Sequence, residues 1–256
     1  MKLLQGQTTI VTGASGGIGR ACVEAFVEAG ACVVMADIDE SGRDLEKKFG
    51  QDCCRFVRCD LGHGASIHNL IETTVHLFNS LNVLLNNGAC LVPEAAMHET
   101  SLEEFETLLA VNVRGLFLIC KYAYPHLKQA RGCIINMSSM AGVAGEKRHC
   151  IYSATKGFMN ALTKSMAIDY GREGIRCNAL APSSVLTPNL DRVIAARPDA
   201  AAIIELRKNI NLLGYTAKPR EIASAAVFLA SPGASFITGA VIPVSGGSEC
   251  GYGVKV

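Results

Sequence analysis

Charge is scarce in this 256-residue sequence and nearly balanced: charged residues make up 18% of the chain and the formal net charge is +1. Binding to a phosphate backbone needs a basic stripe, and none stands out, so no nucleic-acid partner is expected. Long hydrophobic runs are also missing. The longest, such as Leu116 to Cys120, fall far short of the roughly 20 residues that a spanning helix requires, so no membrane partner is expected. A glycine, valine and charge pattern begins at Gln7, which leaves no room ahead of it for a cleavable leader. The eleven cysteines include no Cys-x-x-Cys pair, and adjacent pairs such as Cys53-Cys54 do not have metal-ligand spacing. No metal is implied. Most cysteines lie in apolar stretches such as Ala21-Cys22-Val23, where cysteine acts as a small hydrophobe; with no leader, this predicts a reducing, cytoplasmic setting. No linker interrupts the chain, so residues 1–256 are expected to form one domain.

Apolar residues, in contrast, make up 49% of the sequence, enough for a large core and an oligomer interface as well. Short β-branched runs alternate with longer helical stretches, the rhythm of βαβ units on a parallel sheet. Strands are expected at Thr8 to Thr12, Cys32 to Ala36, Arg55 to Cys59, Val83 to Asn86, Cys133 to Met137, Arg176 to Ala179 and Val241 to Val244. Helices are expected near 17–29, 41–49, 66–78, 101–130, 151–173 and 219–230. The stretch 186–214 contains Pro188, Pro198 and Gly214, which predicts short helices in a lid over a substrate pocket. Leu108 to Tyr124 and Ala154 to Ile168 are apolar almost all round, so a subunit partner is expected to cover the side that the sheet does not.

The first strand runs into Thr12-Gly13-Ala14-Ser15-Gly16-Gly17-Ile18-Gly19, and a helical pattern follows at once. A glycine turn at a helix N-terminus lets the backbone approach a pyrophosphate and offers it free N–H groups. Asp37 closes the stretch Ala31-Cys-Val-Val-Met-Ala-Asp37, 18 residues after Gly19, completing a dinucleotide-binding fingerprint. A carboxylate there accepts ribose hydroxyls and repels a 2′-phosphate, and neither Ser15 nor Ile38 supplies a cation. NAD is therefore the expected cofactor.

Tyr152-Ser-Ala-Thr-Lys156 places a phenol and an ammonium on one helix face. A lysine cation about 4 Å from a phenolate would lower its pKa by about three units at an effective dielectric near 20. Tyr152 would then take the proton of an alcohol as its hydride leaves, or return it to a ketone. Ser139 follows the fifth strand, thirteen residues before Tyr152, where its hydroxyl can meet a substrate oxygen. Asn112 lies in apolar surroundings where its amide needs a partner.

With these motifs, from the glycine turn to Gly247, the chain resembles the short-chain dehydrogenases/reductases. The resemblance implies a Rossmann-type, doubly wound α/β fold with a parallel seven-stranded sheet in the order 3-2-1-4-5-6-7. It also implies a catalytic tetrad of Asn112, Ser139, Tyr152 and Lys156, in which lysine holds the nicotinamide ribose and asparagine holds a relay water. Cofactor contacts are implied at Gly13, Ser15, Gly17, Ile18, Gly19, Asp37, Ile38, Asp60, Leu61, Asn87, Val185 and Thr187, besides Tyr152 and Lys156. Asp60 matches the acid that contacts the adenine, and Val185 and Thr187 match the groups that hold the carboxamide. A homotetramer, or a homodimer, is implied. Two positions depart from the family pattern: Asn86-Asn87-Gly88-Ala89 stands where Asn-Asn-Ala-Gly is usual, and Pro182-Ser183 where Pro-Gly is usual. The latter should bring a side chain close to the nicotinamide.

The expected substrate is a small alcohol or ketone, walled by 90–97, 141–150 and the lid. Glu146, Lys147, Arg148 and His149 either give that wall a polar part, which leans toward a sugar, polyol or hydroxy acid, or form a solvated loop. Steroids, acyl thioesters and small secondary alcohols stay open, as does a cofactor-binding sensor or scaffold without turnover. His149 either touches substrate or stands in solvent, and the tail after Ser248 is a candidate to reach a neighbouring subunit's pocket.

Overall fold

The computed structural model describes residues 2–250. The expected tail contact at residues 251–256 lies outside the described residues. Seven parallel strands form one sheet: β1 (Thr8–Thr12), β2 (Cys32–Asp37), β3 (Cys54–Arg58), β4 (Val83–Asn86), β5 (Cys133–Met137), β6 (Arg176–Pro182) and β7 (Val241–Val244). Their order is β3-β2-β1-β4-β5-β6-β7, as expected. The chain steps outward from β1 to β3 and then returns to β4 on the other side of β1. That reversal opens a crevice at the C-terminal ends of β1 and β4, the place where open α/β sheets bind ligands.

Helices cover both faces because alternate strand residues point to opposite sides. Val11, Val33, Met35, Leu85, Ile135 and Leu180 pack toward α1 (Gly17–Glu28), α2 (Arg43–Phe49) and α10 (Pro219–Ala230). Ile10, Val34, Leu84, Ile134 and Cys177 pack toward α3 (Gly64–Phe78), α5 (Leu116–Ala130) and α7 (Cys150–Tyr170). Each strand is therefore apolar on both sides, which is why the sequence shows near-continuous apolar runs rather than strict alternation.

Two helical stretches differ from expectation. The region expected as one helix over 101–130 consists of α4 (Leu102–Leu108), a π-helical segment (Leu109–Gly115) and α5. Ser101 starts it with a capping box, its hydroxyl accepting from Glu104 N while the Glu104 carboxylate accepts from Ser101 N. A short helix, α6 (Ala141–Ala144), also stands between β5 and α7. Over the crevice, the 186–214 stretch forms α8 (Pro188–Ala195) and α9 (Ala200–Asn209), the short helices that its prolines suggest. Among the described residues, no helix is long and apolar enough to cross a membrane.

Candidate active site

At the β1 end of the crevice, the glycine turn is closed by its own backbone. A Cβ on Gly19 would fall 1.9 Å from the Gly13 carbonyl oxygen, so no side chain fits where α1 meets the turn. No side chain caps α1, and its first-turn N–H groups remain available to an anion. Ser15 N donates to Asp37 Oδ2 at 2.9 Å, and Asp39 N donates to Oδ1 at 3.0 Å. A carboxylate offers about four lone-pair sites, so Asp37 keeps acceptor capacity for two ribose hydroxyls. Ile38 beside it is 59% exposed, forming an apolar wall. Asp60 accepts from Gly62 N at 2.8 Å and sits 2.9 Å from His63 Nδ1, at the rim on the β3 side. Thr187 approaches Gly17 from above, and Val185 is buried and bridges to Ala217, so the 182–187 segment lies over the turn.

The two departures have structural accounts. Asn87 Nδ2 donates to Thr12 O at 2.9 Å and to Gly13 O at 3.1 Å, locking β4 to the turn. A Cβ on Gly88 would stand 2.8 Å from Leu61 Cδ1 and 3.0 Å from Gly13 N, so glycine at this position lets the two segments touch. Ser183 Oγ is engaged by Asn211 Oδ1 at 2.9 Å and by Ser245 O at 3.1 Å. Its hydroxyl therefore ties the loop to the C-terminal ends of α9 and β7.

On the β5 side, Ser139, Tyr152, Lys156 and Asn112 converge. Tyr152 and Lys156 rise from one face of α7, with the Lys156 ammonium 5.7 Å from the Tyr152 ring centre. Lys156 is 2% exposed and donates to Met137 O at 2.6 Å. Asn112 lies in the π-helical segment, accepts from Cys90 N at 2.8 Å and donates to Cys90 O at 3.0 Å. It also reaches Thr155 Oγ1 at 3.3 Å, and Thr155 in turn donates to Tyr152 O at 2.8 Å. The amide thus finds the partners its apolar surroundings demanded. A cavity of about 10 Å³, close to the volume needed for one water, is lined by Asn112, Asn86 and Lys156.

Electrostatics run opposite to the sequence expectation. Burial pushes the Tyr152 phenol up to about 12, the Glu146 charge adds to this, and the neighbouring Ser139 hydroxyl opposes it. Burial also pulls the Lys156 ammonium down to about 8. The reason is that Lys156 is itself desolvated and directs its proton at Met137 O, so it does not offset the burial of the phenol. In this arrangement Tyr152 holds its proton.

Sequence reading missed the polar chain beneath the site. Asn86 Nδ2 donates to Asn136 Oδ1 at 2.8 Å, Asn136 Nδ2 donates to Thr163 Oγ1 at 2.8 Å, and Thr163 Oγ1 donates to Met159 O at 2.8 Å. It crosses β4 and β5 to the middle of α7, fixing that helix against the sheet. Three polar residues in otherwise apolar segments were the available signal. Asn86 Oδ1, buried and without a partner, belongs to a residue lining the one-water cavity.

A family model described as enoyl-(acyl carrier protein) reductase matches residues 13–249. The chain belongs to the short-chain dehydrogenase/reductase family. As a member of that family it is an oxidoreductase. Similar proteins include L-fucose dehydrogenase of Oryctolagus cuniculus, 40% identical over 97% of this chain and 87% of that protein. Among solved structures, 3-ketoacyl-(acyl-carrier-protein) reductase from Brucella melitensis complexed with NADH superposes with a TM-score of 0.87 at 30% identity, covering 96% of this chain and 99% of that one. Aldohexose dehydrogenase of Thermoplasma acidophilum superposes at 0.89 with 30% identity, covering 100% and 98%.

Proposed function

We propose that this short-chain dehydrogenase is NAD-dependent and interconverts a hydroxyl and a carbonyl on a sugar or polyol. The convergence of Tyr152, Lys156 and Ser139 at the sheet's C-terminal edge, across from Asp37 and the glycine turn, carries this reading. The nicotinamide, when bound, supplies the hydride acceptor and a positive charge. Tyr152 takes the hydroxyl proton or returns it, Ser139 Oγ orients the substrate oxygen, and Lys156 holds ribose hydroxyls beside the phenol, whose ionised form the nicotinamide charge favours. Asn112 and its neighbouring cavity hold the water that carries the proton onward. Gly13, Ser15, Gly17, Ile18 and Gly19 receive the pyrophosphate side, Asp37 and Ile38 the adenosine ribose, and Asp60 and Leu61 the adenine. Asn87 shapes the floor, while Val185 and Thr187 hold the carboxamide.

Asp37 supports NAD over NADP, because its free lone pairs suit hydroxyls and its charge repels a phosphate. Sugar substrates are supported by the likeness to an L-fucose dehydrogenase and to an aldohexose dehydrogenase. The chain works as one domain in the cytoplasm, with 186–214 as its lid. Phe117 and Ile168, on the outer faces of α5 and α7, are 50% and 80% exposed, which supports a homotetramer built on these helices. The test is turnover of L-fucose, aldohexoses, polyols and secondary alcohols with NAD and with NADP, followed by reduced-nicotinamide absorbance. Sugar oxidation with NAD upholds the reading. Exclusive use of NADP, or no turnover despite NAD binding, refutes it.

A further inference from the structure

One polar side chain faces the reacting centre without a role in the proton chemistry. His149 precedes Tyr152 by three residues and Lys156 by seven, so the three share one face at the start of α7. The imidazole stands edge-on to the Tyr152 ring, with centroids 6.2 Å apart and planes 67° from parallel. Its side chain is 18% exposed, and its Nδ1 is buried without a hydrogen-bond partner. Buried polar atoms are almost always satisfied, so an unsatisfied one needs a reason. The Glu146 carboxylate, 3.9 Å from Nδ1, is too far to provide a hydrogen bond as it stands.

The backbone that presents His149 is strained and braced. Arg148 adopts φ +60, the left-handed region that a side chain other than glycine's rarely occupies. Its carbonyl accepts from Ala95 N at 2.8 Å, and its guanidinium donates to Glu99 Oε2 at 2.8 Å. His149 itself bridges to Ala95 in parallel register. The two expected walls of the substrate pocket are thus joined at the residue pair that aims this imidazole, and strain of this kind persists where the surroundings over-determine a geometry.

We propose that His149 is a specificity-determining residue: its imidazole hydrogen-bonds a second hydroxyl of the substrate while Tyr152 handles the reacting one. The site then selects polyhydroxylated substrates over simple secondary alcohols. A neutral imidazole offers one donor and one acceptor, matching a hydroxyl, which is both. If Nδ1–H closes on Glu146, Nε2 is left as the acceptor, with its tautomer set by the carboxylate. The inference rests on the dehydrogenase reading above and deepens it by naming what the substrate carries.

The experiment compares wild type, His149→Leu and His149→Gln with L-fucose and with cyclohexanol as probes. His149→Leu should raise KM for L-fucose tenfold or more while leaving kcat within about threefold and NAD affinity within about twofold. Cyclohexanol kinetics should not change, and His149→Gln should recover part of the L-fucose loss. Equal losses on both alcohols, or unchanged L-fucose kinetics, overturn the proposal. Calorimetry of L-fucose binding to NAD-loaded Tyr152→Phe, with and without His149→Leu, separates this idea from the parent reading. If wild type oxidises neither alcohol, the dehydrogenase reading fails. Even then, tenfold weaker L-fucose binding on adding His149→Leu upholds the role of His149, whereas absent or unchanged binding overturns it.

Discussion

Replacing Asp37 by asparagine should loosen the cofactor preference by an amount the structure lets us work out. The carboxylate accepts from Ser15 N at 2.9 Å and Asp39 N at 3.0 Å, leaving about half its lone pairs for ribose hydroxyls. A phosphate on that ribose would stand about 4 Å from the carboxylate, where unit charges repel by about 4 kcal/mol at an effective dielectric near 20. Salt and partial exposure reduce this to about 2 kcal/mol, or about 30-fold. Asparagine removes the repulsion and one acceptor, so NAD should also lose a charge-assisted hydrogen bond, about tenfold. Arg58, in register with Asp37 on β3, supplies a nearby cation for the phosphate. The NAD-to-NADP ratio of kcat/KM should therefore fall by roughly 300-fold in Asp37→Asn. Measuring both cofactors at saturating substrate tests this. A shift smaller than about threefold, or a wild type that already prefers NADP, refutes the argument.

Lys156→Met separates catalysis from stability. Folded Lys156 releases its proton near pH 8 and the unfolded residue near 10.5, so between these values the unfolded chain binds more protons and wild-type stability rises with pH. Lys156→Met should lose activity by about 10²-fold or more, yet be more stable at pH 7 by up to about 3 kcal/mol, with the gap closing by about pH 10.5. Urea unfolding at pH 7 and pH 10 reads this, and a gap that widens with pH would be inconsistent with it. Asn136→Leu takes the oxygen acceptor from buried Asn86 Nδ2, while the Thr163 hydroxyl keeps Met159 O, and should cost about 1–3 kcal/mol by denaturant unfolding; a change under about 0.5 kcal/mol would mean the chain is slack. Gly88→Ala forces a Cβ to within 2.8 Å of Leu61 and 3.0 Å of Gly13 N, so calorimetry should find NAD binding weakened about tenfold or more. Unchanged affinity would show that the turn can yield.

Much of this was legible because local pattern and topology agree. β1, β4, β5 and β7 have the bounds that their β-branched runs suggest, β2 gains one residue at its end, β3 is shifted back by one residue at both ends, and β6 runs on to Pro182 because its far end still pairs with β7. The Tyr152 and Lys156 face was legible because helical spacing fixes it. The π-helical segment around Asn112 was not, since a wider turn changes hydrogen-bond partners without changing the apolar pattern. The Asn86, Asn136 and Thr163 chain joins residues far apart in sequence, so only the fold brings it together. The direction of the Tyr152 shift is not legible from helical spacing, which gives the pairwise attraction but not the burial of both partners.

The most direct test of the account is the rate of NADH formation from L-fucose by wild type and by Tyr152→Phe, with NAD affinity measured alongside. The account predicts active wild type, a loss of at least about 10³-fold in kcat for the variant, and NAD affinity unchanged within about twofold. A variant that keeps a tenth or more of the wild-type rate would contradict the assignment of Tyr152 as the proton donor and acceptor.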